Sequence, residues 1–290
     1  MADREQAAAQ NGGLCQPLVS ICIPAYNSSA TIEGTVRSIL NQTYQNLELI
    51  VADDHSKDDT VLLVKRLQEE DSRIRLYENE QNLGMSGNWN HCLKLCQGEY
   101  IKLVCADDCL EPEAVEREAG AMLEHPTVNL VESDTRLVDI NGKTTGSFKR
   151  YYRSGVVDGR KAAKTSLMLN NFFGAPVNNL IRRSVLKKTG LFDTSFTYIL
   201  DFDMWVRIAC EGDIYIIHEP LNRFMVRNDS NTGVMIGRKR DVYVAEHRKL
   251  VEKHAAAGAL RISKLEVELS VLLRRMRNVA IGIYLKIFAK

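Results

Sequence analysis

The chain has 290 residues, 45% of them hydrophobic and 26% charged, and a formal net charge of +1. This composition is typical of a folded globular protein and argues against a disordered or membrane-spanning one. The charge is uneven, because 13 basic and 5 acidic residues from Arg238 onward give +8 and leave −7 for the preceding part. We expect the tail to attract anionic lipid headgroups rather than nucleic acid, since the body has no basic stripe. A simply solvated helical tail is the alternative.

The cysteines number seven, and the first 16 residues are polar, without the apolar stretch of a secretory leader. An odd cysteine count without a leader predicts reduced thiols and a cytoplasmic location. We expect residues 1–16 to form a flexible N-terminal segment.

Strands and helices alternate through the first hundred residues. Residues 18–23 form an apolar, β-branched run that Pro24 interrupts, and residues 31–40 have apolar positions at helical spacing. The pattern continues with strands at 47–52, 74–77 and 100–104 and helices at 60–67 and 89–95. It predicts an α/β fold, a Rossmann-type, mostly parallel sheet flanked by helices, with ligands at the carboxyl ends of its strands.

Unusual polar residues follow three of these strands. They are Pro24, Ala25, Tyr26 and Asn27 after the first, Asp53 and Asp54 after the second, and Asp107 and Asp108 after the strand from residue 100. Two adjacent carboxylates repel one another unless they are solvated or neutralised, and Mg²⁺ or Mn²⁺ is the cation that they suit. A solvated turn is the alternative for the isolated pair, but convergence of three clusters on one edge favours a site. For Asp58 and Asp59 we favour capping of the next helix.

The second half of the chain has a different pattern. A strand at 128–132 leads to a hairpin with the turn Asn141-Gly142, so the sheet should gain antiparallel members. A buried strand near Leu180, a helix after Asp201 and a strand at 214–217 follow. No linker interrupts this region, and we predict one catalytic domain over residues 17–235.

The remaining residues, 236–290, are predicted to form a basic helical C-terminal extension. Apolar residues recur there at alternating spacings of three and four, at Ile262, Leu265, Leu269, Leu272, Met276, Val279 and Ile283. This heptad-like series predicts a helix with one apolar face. The face could pack against the body, associate with a second copy or attach to a membrane surface.

Several short motifs together resemble those of family-two glycosyltransferases of the GT-A fold. In chain order, the matching segments are residues 19–27, 52–60, 82–84, 98–101, 107–108, 182–185, 190–193 and 200–205. Each is weak alone, but their order and spacing over about two hundred residues make the match specific.

The resemblance implies a nucleotide-diphosphate-sugar donor, with UDP as the nucleotide. Residues implied to bind it are Pro24, Ala25, Tyr26, Asp53, Asp54, Asp107 and Arg227. Among them, Asp54 would accept a hydrogen bond from the base, and Asp107 would face the ribose or the metal. Asp108 would hold the Mn²⁺ or Mg²⁺ that bridges the two phosphates, and this cation would stabilise the leaving group.

The resemblance also implies that Asp201 is the general base that takes the proton of the acceptor hydroxyl, so that one displacement inverts the anomeric configuration. Asp203 is the neighbouring alternative. Two residues apart on a helix, the two carboxylates point to different faces, and only one can face the acceptor. The sequence departs from the family pattern at three positions, where Cys105, Leu200 and Arg227 replace two acidic residues and a histidine. Arginine cannot ligate a metal, but it can bind a diphosphate.

The expected activity is therefore inverting glycosyl transfer to a hydroxyl of a glycan or lipid-linked acceptor, extending a surface polysaccharide on the inner face of the cell membrane. Two other functions share parts of this pattern. A sugar-phosphate nucleotidyltransferase would need a glycine-rich basic loop after the first strand, and this chain lacks one. A non-catalytic nucleotide-sugar-binding or scaffold protein would explain the three departures but not the retained Asp54, Asp108 and Asp201.

Overall fold

The computed structural model of the chain describes residues 16–139, 141–149, 151–226 and 240–288, and in the last range the side chains of residues 241–279. The predicted flexible segment therefore lies, except for Gln16, outside the described residues. The predicted domain boundary at 235/236 also lies outside them.

The first half of the fold is the predicted parallel sheet. Its elements are β1 (Val19–Ala25), α1 (Ile32–Leu40), β2 (Leu47–Asp53), α2 (Thr60–Glu70), β3 (Ile74–Glu78), α3 (Gly84–Leu95) and β4 (Tyr100–Leu103). The strands lie in the order β3-β2-β1-β4, and each pairs in parallel with its neighbour. All seven residues of β2 are buried, as expected for an interior strand covered on both faces.

The second half makes the sheet mixed. Its elements are β5 (Cys109–Leu110), α4 (Ala114–Glu124), β6 (Val128–Val138), β7 (Thr144–Phe148), β8 (Gly155–Val157), α5 (Gly159–Met168), β9 (Asn179–Arg182), α6 (Leu186–Thr189), α7 (Leu200–Cys210) and β10 (Asp213–Met225). The sheet continues β4-β9-β6-β10-β5, with β7 on β6 and β8 on β10. Apart from the parallel pair β6 and β10, these pairings are antiparallel. The α/β fold and the added antiparallel members are confirmed.

Two strands run through a proline and past their predicted ends, β1 at Pro24 and β10 at Pro220, which lies beyond the predicted end at residue 217. In β1, the Ala25 carbonyl faces β2 and accepts from Asp54 N, so Pro24 faces the other neighbour, β4. The ladder with β4 stops at Cys22 and Leu103, and the missing N–H of Pro24 therefore costs no ladder hydrogen bond. In β10, Pro220 sits between two register shifts, which is where a strand tolerates proline.

The C-terminal extension consists of α8 (Arg240–Ala256) and α9 (Lys264–Phe288). Leu250, Val251, Leu260 and Val267 belong to the same buried cluster as the apolar side of α7. The extension therefore shares a core with the sheet domain. In the described part of the chain, no helix has both the length and the apolar character needed to cross a bilayer.

The heptad-like series of α9 does not pack against the body. Leu265, Leu269, Leu272, Met276 and Val279 are 53–79% exposed, whereas Ile262, before the helix begins, contacts the core. The side chain of Ile283 lies outside the described residues. Packing of this face on the body is thus the wrong alternative for the five described helical positions.

Candidate functional site

The turns after β1 and β2 lie at one edge of the sheet, together with the end of β4. The register that pairs Ala25 with Asp53 and Cys22 with Leu103 brings these carboxyl ends side by side. Among the described residues, the non-glycine residues in the left-handed region are Asn27 (φ 48°) and His55 (φ 64°), one in each turn. Such backbone is uncommon and is often found at functional sites.

Hydrogen bonds join the two turns. Asn27 N donates to Ser56 Oγ at 2.9 Å, and Lys57 N donates to Asn27 Oδ1 at 2.8 Å. Both oxygens of Asp53 accept from Ser56, from its backbone N at 2.9 Å and its hydroxyl at 2.5 Å. The Asp53 carboxylate is thus used to build the second turn.

Asp58 supports the same pair of turns, whereas Asp59 does not cap α2 with its side chain. Asp58 accepts from Thr60 N at 3.1 Å and from Ser29 N at 3.0 Å. Burial opposes ionisation of Asp58, but hydrogen bonds from Thr60 and Ser29 outweigh it and lower its pKa to about 2. Capping by the side chain is therefore confirmed for Asp58, whereas Asp59 occupies the N-cap position without a side-chain capping hydrogen bond.

Asp54 connects the second turn to the loop after β3. Its side chain is buried, and Oδ1 accepts from Leu83 N at 2.7 Å and from Asn79 Nδ2 at 3.0 Å. Ala25, whose carbonyl accepts from Asp54 N, is fully buried, while Tyr26 is 51% exposed at the rim. Hydrogen bonds from the described residues fix Asp54 through one oxygen, and they leave Oδ2 unused.

The Asp107-Asp108 pair lies in the segment between β4 and β5. Asp108 is 1% exposed; its Oδ1 accepts a long hydrogen bond, 3.4 Å, from Met225 N, and its Oδ2 is buried without a hydrogen-bond partner. Burial, and then the charge of Asp107, raise the pKa of Asp108 well above its usual range. A buried carboxylate oxygen without a donor, next to a second carboxylate, fits a divalent cation.

Within the described residues, no group of three or more His, Cys, Asp or Glu side chains could hold a metal by itself. A cation at Asp107 and Asp108 would therefore need further ligands from outside the described residues, such as a bound phosphate or water. Mg²⁺ commonly binds in this way, through one or two carboxylates, substrate phosphates and water. The donor set fits a cation that is shared with a bound diphosphate.

Asp201 is the second residue of α7, and its side chain is partly exposed. It is not the N-cap, which is Ile199; its Oδ1 instead accepts from Phe202 N at 2.7 Å. Burial raises the pKa of Asp201 to about 7, although the backbone hydrogen bonds oppose this shift. Such a carboxylate is half ionised near neutral pH, as an effective general base requires.

The thiol of Cys105 is within electrostatic reach of the carboxylates that the sequence assigns to the metal and the base. Burial raises the pKa of Cys105, and the charges of Asp108, Asp107 and Asp201 raise it further. These four side chains therefore form one cluster of interacting groups, although 93 positions separate Asp108 from Asp201. Cys105 fills a position where the family pattern has an acidic residue.

Asp203, the alternative base, points away from this cluster and is fully buried. Its Oδ2 accepts from Arg207 Nε at 2.8 Å. Its Oδ1 accepts from Lys253 Nζ at 2.7 Å and lies 3.0 Å from His254 Nε2. Both oxygens are therefore bound in an ionic cluster between α7 and α8, and neither is free to accept a proton from a substrate.

Glu246 of α8 organises the start of α7, a role that the sequence analysis missed. Its Oε1 accepts from Thr197 N at 2.6 Å, and its Oε2 accepts from Tyr198 N at 2.9 Å and Ile199 N at 3.2 Å. These N–H groups need acceptors, and the N-cap Ile199 has no side-chain oxygen to offer. Glu246 thereby fixes the backbone just before Asp201. No local signal marks it, because the partners are 47–49 positions apart.

Neither tryptophan belongs to the site. Trp89 and Trp205 are buried and pack edge-on against Phe192, so both belong to the core. Asn178 is buried in a hydrogen-bond network with Thr135 and Asn222. Arg227 lies outside the described residues.

The model of the family described as glycosyl transferase family 2 matches residues 20–190 of the chain. The chain belongs to this family. It is a glycosyltransferase, and of the functions weighed from the sequence the nucleotidyltransferase and the non-catalytic scaffold are set aside. The matched region contains both turns and the Asp107-Asp108 pair and ends before α7.

A relative with a specific name is the UDP-Glc:alpha-D-GlcNAc-diphosphoundecaprenol beta-1,3-glucosyltransferase WfgD of Escherichia coli. It is 30% identical over 201 residues, which cover 69% of this chain and 73% of the relative.

Two solved structures have the same fold. S. aureus TarS 1–349 in complex with UDP-GlcNAc superposes with a TM-score of 0.67 at 16% identity, over 94% of this chain and 76% of that one. The mannosyltransferase PcManGT from Pyrobaculum calidifontis, in complex with GDP-Man and Mn²⁺, gives a TM-score of 0.63 at 20% identity, over 97% of this chain and 79% of that one. At these sequence identities, the structural similarity establishes the fold alone.

The Asp203 cluster predicts a stability defect for Asp203→Asn in this glycosyltransferase. Removing the charge leaves Arg207 and Lys253 without their buried partner, and we expect a loss of about 3 kcal/mol in the free energy of unfolding at pH 7. Burial opposes ionisation of Asp203, but His254, Arg207 and Lys253 lower its pKa to about 2. Because this pKa is lower in the folded state, the ionised Asp203 side chain stabilises the fold at pH values above its ordinary pKa of 3.8. That stabilisation is lost as the pH falls towards 2. Urea unfolding should therefore show a difference from wild type that shrinks between pH ~4 and ~2; a constant difference would contradict this assignment.

Proposed function

We propose that this glycosyltransferase moves a sugar, with inversion, from a UDP-sugar to a hydroxyl of a glycan or lipid-linked acceptor. The observation that carries the proposal is the buried Asp108 Oδ2 without a hydrogen-bond donor, next to Asp107 and just past the carboxyl end of β4, where the charge of Asp201 also acts on Cys105. The name of the relative WfgD, which includes UDP-Glc and a diphosphoundecaprenol acceptor, supports the donor and acceptor classes.

In the proposed donor site, the nucleotide lies along the two joined turns. Pro24, Ala25 and Tyr26 border the base, with the exposed Tyr26 ring at the rim. Asp54 is held by its Oδ1 and uses Oδ2 to accept from the N–H of the base. Asp53 keeps the second turn in shape through its two bonds with Ser56, and so acts by positioning.

Mn²⁺ or Mg²⁺ would be held by Asp108 and Asp107, and when bound it would neutralise charge that develops on the departing diphosphate. Asp108 contributes the buried Oδ2 that has no donor of its own. The Met225 N–H fixes the other oxygen and so orients this carboxylate. Arg227, two residues after Met225, is proposed as a further diphosphate contact through charged hydrogen bonds.

Asp201 is proposed as the general base. The acceptor oxygen forms a bond with the anomeric carbon while its proton passes to Asp201, and the bond from that carbon to the diphosphate oxygen breaks. Because attack and departure occur on opposite faces in one displacement, the configuration inverts. Glu246 acts as a positioning residue, since it holds the backbone that precedes the base. We place the reaction on the cytoplasmic side of the membrane, where a lipid-linked acceptor would be reached.

Thermal unfolding in the presence of candidate donors tests the proposal. A ligand that binds only the folded state raises its stability, by about 2.7 kcal/mol at a hundred times its Kd. We expect UDP-sugars with Mn²⁺ to raise the melting temperature, GDP-sugars to raise it less, and the shift to fall when EDTA removes the metal. The donor with the largest shift is then incubated with a GlcNAc-diphospho-lipid. Transfer to its sugar hydroxyl supports the proposal, whereas stabilisation by GDP-sugars alone would contradict the UDP assignment.

A further inference from the structure

The exposed face of α9 is an apolar stripe of regular spacing. We define the exposed stripe as Leu265, Leu269, Leu272, Met276 and Val279, at successive spacings of four, three, four and three residues. Leu265 is 79% exposed and each of the others at least 53%. A run of large apolar side chains along one helix face marks an interaction surface rather than scattered surface residues.

Contacts on the opposite, buried face of α9 determine which side of the helix faces solvent. Val267, Ser270 and Val271 are buried there, and Ser270 Oγ donates to Leu167 O at 2.7 Å. Arg274, also buried, donates to the Tyr243 hydroxyl at 3.1 Å. The exposed stripe therefore cannot turn inward without breaking these contacts.

We propose that the exposed stripe pairs with the same stripe of a second copy, in antiparallel orientation. Two apolar positions per seven residues form the narrow seam of a helix pair, whereas a helix lying in a membrane surface usually has a broader apolar face with basic flanks. Here an acidic residue, Glu268, borders the stripe, and it is bound to Arg248 at 2.5 Å and 2.7 Å.

The flanking charges determine the orientation. When Leu269 packs against the partner's Leu272, two-fold symmetry packs Leu265 against the partner's Met276, and every layer from Leu265 to Met276 is apolar. In this register Glu268 lies beside the partner's Arg275, and symmetry makes this pair twice. Arg275 is exposed and lines a groove with Arg248 and Val279, so it is accessible from the partner's side.

A parallel pair of helices would not place Glu268 beside a basic residue of the partner. Glu268 would then face the partner's Leu273. Glu266, the remaining acidic residue of α9, lies in the first turn and is bound to Ser263 N at 2.7 Å and Lys164 Nζ at 2.8 Å. The antiparallel pair is the arrangement that brings opposite charges of the two helices together, and Glu268 can keep its bonds to Arg248 because a carboxylate has about four acceptor positions.

Sedimentation equilibrium of the full chain tests the pairing. We expect a dimer at micromolar concentrations, and Leu269→Asp should raise the dimer Kd at least 100-fold. Its melting temperature should equal that of wild type when both are measured well below the wild-type dimer Kd, where both chains are monomers. Leu62→Asp is the matched control, because Leu62 is similarly exposed (49%) but lies on α2, and this variant should remain a dimer. A wild-type monomer at 100 μM would overturn the proposal. So would a monomer that binds vesicles of anionic lipid through Leu269, which would assign the stripe to a membrane surface.

Disulfide formation tests the orientation. The antiparallel register places Leu265 next to the partner's Met276, so a mixture of Leu265→Cys and Met276→Cys chains should form a mixed disulfide dimer under mild oxidation. Leu265→Cys alone should not cross-link, because 11 residues of helix separate the two thiols by about 16 Å. Cross-linking of Leu265→Cys alone would indicate a parallel pair. The wild-type chain is the control for the native cysteines.

Discussion

Asp201→Asn is expected to bind the donor with wild-type affinity and to lose about 10²–10⁴-fold in kcat. The amide keeps the size of the side chain and can retain the contact with Phe202 N, but it cannot accept the acceptor's proton. Binding is measured by calorimetry with the donor and Mn²⁺, and turnover by release of the nucleoside diphosphate in the presence of acceptor. The loss in kcat without a loss in affinity is the signature of a group that acts in the chemical step.

Asp203→Asn is the matched control for this substitution, because it makes the same chemical change two residues away in α7. It should be less stable yet keep most of its turnover when assayed well below its melting temperature. The wild-type rate at limiting substrate should also rise through pH ~7, since Asp201, with its pKa raised to about 7, must lose its proton to act. Full turnover of Asp201→Asn, or a larger loss of kcat in Asp203→Asn, would assign the base to another residue.

Asp108→Asn is expected to lose the metal-dependent part of donor binding. With its Oδ2 buried and without a donor, Asp108 contributes little to the fold by itself, and the metal-free variant should be as stable as wild type or more stable. The stabilisation of about 2.7 kcal/mol expected from saturating donor with Mn²⁺ should fall to the value seen with EDTA. Differential scanning calorimetry with and without Mn²⁺ measures both effects.

Asp59→Asn is the control for Asp108→Asn. Asp59 is an exposed carboxylate near the same strand edge and makes no capping hydrogen bond, so its variant should respond to donor and Mn²⁺ as wild type does. A full Mn²⁺-dependent shift in Asp108→Asn would mean that the cation binds elsewhere.

The parallel half of the fold could be predicted from sequence because its signals are local. Buried strands such as β2 are nearly continuous apolar runs, and α1 follows from helical spacing. Once β1, β2 and β4 are predicted as parallel, the polar residues after each strand must share one edge. That geometric rule is why Asp54 and Asp108 could be assigned to one side of the sheet.

The remaining features depend on contacts between distant segments. The continuation of β1 through Pro24 depends on where β4 ends, and no window around Pro24 contains that information. The Asp203 carboxylate is held by contacts with Lys253 and His254, and the backbone before Asp201 is held by hydrogen bonds to Glu246. In each case the deciding partner lies on another element, and its position follows from the packing of the C-terminal helices.

Carboxylates from the β4–β5 segment and from α7 are proposed to serve one reaction, Asp107 and Asp108 at the donor diphosphate and Asp201 at the acceptor hydroxyl. The decisive test is an anomalous difference map from crystals grown with Mn²⁺ and a non-transferable UDP-sugar analogue. We expect one Mn²⁺ peak within coordination distance of Asp108 or Asp107, shared with the diphosphate, and the anomeric carbon turned towards Asp201. A metal bound away from both residues, or a donor whose sugar lies out of reach of Asp201, would contradict this proposal.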